Sequence, residues 1–85
     1  MEDVLQKLSD LLRAKFPNCE LELEFVRDGK ISGFMTWQGF EEMDHLDRQR
    51  NVWAVIRQNL SREDQGRIIA VLTLTPEEMT AARAG

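Results

Sequence analysis

The sequence is short of the residues that most often carry chemistry. It holds one cysteine, Cys19, and one histidine, His45, in 85 residues. A lone cysteine closes no internal disulfide, which suits a reducing compartment and makes the cytoplasm the expected location. Zinc or an iron–sulfur cluster takes about four thiolate or imidazole ligands, usually from one chain, and these two residues cannot supply them. No metal and no cofactor is therefore expected. Nothing around Cys19 or His45 supports a nucleophile–base pair. Cys19 reads as a structural residue at a strand start, and His45 as a solvated or capping residue beside a helix start. With no general acid–base pair to assemble, an enzyme is not expected.

Other absences narrow the function further. No run of about 18 apolar residues exists to span a membrane. The N-terminus lacks the basic and apolar regions of a signal peptide. Gly29, Gly33, Gly39 and Gly66 match no phosphate-binding fingerprint, and there is no GxxG loop of the kind that holds a nucleic-acid backbone. Positive charge is also scarce: 15 acidic against 11 basic residues give a net charge of −4. That disfavours indiscriminate binding to nucleic acid or anionic lipid, both of which need a positive field. A local basic patch stays open, because Glu20, Glu22 and Glu24 come early while Arg48, Arg50, Arg57, Arg62 and Arg67 lie in the second half.

What is present reads as one small globular domain covering residues 1–85, with 42% apolar and 31% charged residues. Such a chain buries only roughly 60–65% of its unfolded surface, so each large apolar residue counts. Val4, Leu5, Leu8, Leu11, Leu12 and Phe16 recur at helical spacing up to Pro17, predicting a helix over about 2–16, with Glu2 and Asp3 in its first turn. Glu20 to Val26 alternates strictly, as a half-buried strand does, and Asp28-Gly29 leads to a second strand over Ile31–Trp37. Gly33 within it suggests a bulge or a close helix contact.

A longer helix follows from Asp44 to about Leu60. Its apolar face holds Leu46, Val52, Trp53, Ile56 and Leu60, and Asp44–Arg48 suits a surface i,i+4 pair. Both Trp37 and Trp53 read as core residues, with Trp37 also placed to anchor a partner. Ser61-Arg62-Glu63-Asp64 caps a short extra turn, and Ile68–Leu74 reads as a more central third strand. Thr75-Pro76-Glu77-Glu78 starts a last helix. The fold class is thus α+β: helix-strand-strand-helix-strand-helix, a three-stranded mixed sheet with helices on one face. The strands flanking the main helix can run parallel through a crossover.

The stretch Phe40-Glu41-Glu42, then five residues, then Arg48-Gln49-Arg50-Asn51-Val52-Trp53 resembles the pattern of BolA-like proteins. In that family a strand runs into Phe-x-Gly, and Arg-His-Arg-x-Val-Tyr opens the main helix. Thr75-Pro76-Glu77-Glu78 is similar to the family's closing motif. The resemblance implies a class II KH-like topology and a regulatory or adaptor role in stress or growth. It also implies a monothiol glutaredoxin partner, met through a shared [2Fe–2S] cluster, and nucleic acid as a further ligand. The departures bear on chemistry. Glu42 stands for the family's glycine and Gln49 for the histidine between the arginines. The loop that can hold a ligand has shrunk to Asp28-Gly29. Arg67, or Ile69 if two residues are deleted, stands where a cluster-binding histidine is expected.

Two surfaces emerge as candidates. Arg48 and Arg50, with Arg57 on the same helix and Arg67 at the start of the third strand, form a basic surface for a protein partner or, weakly, nucleic acid. Near the positive end of the helix, arginine gains nothing from the dipole. Glu20, Glu22 and Glu24 form an acidic ladder, either the solvated face of an edge strand or a dock for a basic partner. A monomer or a homodimer is expected, without membrane association.

Overall fold

The computed structural model describes residues 3–84. The first apolar stripe forms helix α1, Val4–Lys15. Asp3 lies just outside it as the N-cap, its carboxylate accepting from the Gln6 N–H at 2.7 Å; Glu2 lies outside the described residues. Leu8, Leu12 and Phe16 are buried. The Phe16 N–H makes the last helical bond, to the Leu12 carbonyl. Pro17 then offers no N–H to continue, and Asn18 reverses the chain at φ 67°.

Strands β1 (Glu20–Arg27) and β2 (Lys30–Thr36) pair antiparallel through the expected turn. Asp28 and Gly29 have φ of 52° and 71°, the two positive values that a type I′ turn requires. Gly33 itself pairs in register with Leu23 and Val71, and the irregularity of β2 falls between Ile31 and Ser32. A side chain there would run into the Glu22 carbonyl oxygen and the Leu23 backbone of β1, so the close neighbour is the partner strand.

After β2 a 3-10 helix, Gln38–Glu42, drives Phe40 inward until it is fully buried. Its ring lies 5.2 Å from Trp37, edge to face, and 6.2 Å from Phe16. Trp37 is half-buried and its indole N–H donates to the Pro17 carbonyl at 2.9 Å, so it ties the β2 exit to the end of α1.

Helix α2, His45–Asn59, starts on Asp44, whose carboxylate accepts from the Asp47 N–H. Val52 and Ile56 are buried, but Leu46 is exposed and Trp53 only half-buried. The apolar face is therefore narrower than the spacing suggested. Helix α3, Arg62–Gln65, is the expected extra turn, capped by Ser61. Strand β3, Ile68–Leu74, lies parallel to β2.

The strand order is β1-β2-β3, so the central strand is β2 and β3 is an edge. The continuous apolar run had suggested otherwise. Outward Ile69 and Leu72 account for that run while remaining exposed. Helix α4, Pro76–Ala84, closes the described chain behind a reciprocal cap: Glu78 N–H donates to Thr75 Oγ1, and Thr75 N–H to Glu78 Oε1. No helix among the described residues is long and apolar enough to cross a membrane.

Candidate functional site

An edge strand leaves every second carbonyl without a ladder partner, and β3 hands two of these to α2. Gln49 Nε2 donates to the Val71 carbonyl at 2.9 Å and to Thr73 Oγ1 at 3.3 Å. Arg48 Nη1 lies 3.4 Å from the Thr73 carbonyl. The start of the main helix therefore shields the β3 edge from pairing with another strand.

Arg48 is not the surface residue its spacing implied. Only 5% of it is exposed. Its Nε donates to the Met43 carbonyl at 3.0 Å, and its guanidinium grips Glu78, with Nη1–Oε1 at 2.6 Å and Nη2–Oε2 at 3.4 Å. The guanidinium carbon also sits 5.8 Å from the centre of the Phe40 ring. The i,i+4 partner expected for it, Asp44, is engaged as a helix cap. Arg48 belongs to the interior framework, joining the 3-10 helix, β3 and α4.

The Arg48 bonds, aided by the Thr75 N–H, hold the Glu78 carboxyl at a pKa of about 2, well below the usual carboxylate range. A depressed carboxylate pKa adds stability above the unfolded value, and that stability fades as pH falls through the folded one. Stability is thus expected to drop between about pH 5 and pH 2. Glu78→Gln should flatten this part of the profile, measured by urea denaturation at several pH values. An unchanged acid slope would show that other carboxylates govern it.

The remaining predicted arginines are exposed: Arg50, Arg57 and Arg67. Arg50 and Arg57 stand two turns apart on α2, about 10 Å along its axis. Neither makes an ion pair among the described residues. Arg67 is not brought to Arg48. The guanidinium of Arg48 reaches Thr73, six residues along β3 from Arg67, roughly 20 Å away. Arg67 instead lies against Gly29 at the hairpin tip. The basic residues are therefore spread along the molecule, with Arg57 in the last turn of α2.

The residues do not fit a shared iron–sulfur cluster. Arg67 and Ile69 offer no ligand to iron, and the Asp28-Gly29 turn holds neither cysteine nor histidine. The Cys19 thiol is half-buried over the Leu12 carbonyl, and burial pushes its pKa up, away from the thiolate that iron binds. Among the described residues no three His, Cys, Asp or Glu side chains gather as a metal site.

Sequence reasoning found Glu78 as a cap but missed its second role. Pairing across thirty positions leaves no local trace in the sequence. It named Phe40 only as part of the family-like stretch and not as a core residue, because Phe40 lies outside any periodic run.

Comparison with known proteins gives a consistent architecture. BolA1 from Arabidopsis thaliana superimposes with a TM-score of 0.71 at 22% identity, over 92% of this chain and 98% of that one. A bol-like protein from Babesia bovis gives 0.67 at 23% identity, over 98% of this chain and 94% of that one. No family model and no curated protein sequence matches. The chain has the α+β fold of BolA-like proteins, with the element order expected from the sequence.

Proposed function

We propose that the chain is a non-enzymatic BolA-like adaptor that binds a protein partner through the exposed arginines of α2 and holds no iron–sulfur cluster. The observation that carries this is the contrast along one helix. Arg48 is consumed by four polar contacts inside the protein, whereas Arg50 and Arg57 are exposed and make no ion pair among the described residues. Arginines that the fold does not use are free to meet a carboxylate or phosphate on another molecule. Arg67, at the far end, extends the same basic set toward the hairpin tip.

The test mixes the protein with a monothiol glutaredoxin, with and without ferrous iron and sulfide. A complex is expected that shows no new visible absorption, and Arg50→Ala with Arg57→Ala should weaken it about five- to tenfold. The double variant should melt within about 4 °C of the parent, as surface substitutions do. DNA offered in parallel should bind weakly and dissociate steeply with salt, because only a few arginines can contact phosphate. A cluster spectrum lost on changing His45 or Cys19 would refute the reading. So would sub-micromolar, sequence-selective DNA binding at physiological salt, or a double variant that binds the glutaredoxin as well as the parent.

A further inference from the structure

The register arranges the outward side chains of the sheet in rows. Glu20 aligns with Thr36 and Leu74, Glu22 with Phe34 and Leu72, and Glu24 with Ser32 and Ala70. Side chains two apart along a strand share a face, so these rows form one surface, opposite the face where Leu21, Leu23, Ile31, Met35 and Val71 meet the core. Helix α4 reaches over the first row: Thr36 is buried, and Pro76, Met79 and Arg83 line a cleft with Glu20. The other two rows are open, with Phe34 41% and Leu72 50% exposed. At the β3 edge Phe34, Leu72 and Leu74 line a depression of about 340 Å³, walled by His45 and Gln49 of α2. The surface is thus an apolar strip bordered by carboxylates.

The chain itself shows what those carboxylates take. Arg83 of α4 extends over the sheet to Glu22, Nη2–Oε2 2.5 Å, with both side chains at least half exposed. Such a water-screened pair is weak and exchangeable. Glu24, in the next row, makes no ion pair among the described residues. Protection of a strand edge accounts for the glutamates, but it leaves unexplained the bare phenylalanine and leucine set in register with Glu22.

We infer that this outer sheet face docks a segment of a partner protein, its basic side chains meeting Glu22 and Glu24 and an apolar side chain seated between Phe34, Leu72 and Leu74. The acids select the occupant. A second copy would bring the same glutamates face to face, and nucleic acid or anionic lipid would be repelled. The site is separate from the arginines of α2, so either surface can fail without the other.

The test titrates the isotope-labelled full chain with a short peptide, Lys-Thr-Lys-Leu-Lys-Thr-Lys, while backbone amide signals are followed by NMR. Saturable shifts are expected at Glu22, Phe34 and Leu72, weakening with salt. Glu22→Lys with Glu24→Lys, or replacing every peptide lysine by glutamate, should cost at least about tenfold in affinity. Leu72→Ser should weaken binding while the melting temperature stays near that of the parent. The inference is overturned by absence of saturable binding, by shifts confined to α2, by equal binding of the glutamate peptide, or by self-association through these residues.

Discussion

Phe40→Ala is expected to leave the protein barely folded at room temperature. Phe40 is fully buried, and it closes a cluster with Phe16 and Trp37 under the Arg48 guanidinium. Truncating such a ring removes its burial and leaves a cavity, together about 3–5 kcal/mol. A domain of this size has roughly 4–13 kcal/mol in all. The melting temperature should therefore fall by about 15–30 °C, measured by circular dichroism. Trp53 makes the informative control. The spacing put it at the centre of the apolar face, where truncation would cost as much. The structure leaves it half-buried at the rim, and Trp53→Ala should cost only about 1–3 kcal/mol, since part of the ring already meets water. If Trp53→Ala proves the more damaging, the 3-10 helix does not anchor the core as described.

Arg48→Ala is expected to be the most damaging change among the charged residues. It strips the Met43 and Thr73 carbonyls of their donor and leaves Glu78 without its partner. Removing one member of a buried pair costs about 3–5 kcal/mol. Glu78, with 37% of its side chain exposed, can recover some hydration, so about 2–4 kcal/mol is expected here. Arg48→Lys should lie between, because a lysine can reach Glu78 but cannot hold two carbonyls in a fixed fork as well. Arg48→Ala should also lose most of the acid dependence that the depressed Glu78 carboxyl confers, so its stability should change less between pH 5 and pH 3. Denaturant titration at both pH values measures both effects. If Arg48→Ala is as stable as Arg50→Ala, the buried fork contributes nothing net.

These two residues mark where sequence patterns stop. Leu8 and Leu12 announced the buried side of α1 because a helix repeats at intervals shorter than its own length. Asp28-Gly29 announced the hairpin because few residue pairs take positive φ twice in succession. The caps at Ser61 and Thr75 were legible for the same reason, since donor and acceptor lie within three positions, whereas Asp44 read as a surface partner of Arg48 and is a cap instead. Glu20, Glu22 and Glu24 were recognised as one outward row, but not what stands beside them.

Local chemistry by itself thus determined the element order, the hairpin and the caps at Ser61 and Thr75. Tertiary structure alone decided that β3 is an edge, that Arg48 turns inward to Glu78 while Arg50 stays outside, and that Phe34 and Leu72 lie in register with Glu22. The physical reason is range. Capping, turn geometry and amphipathic spacing act within a few residues. Strand order and the partner of a buried charge depend on which distant segments meet once the core has closed.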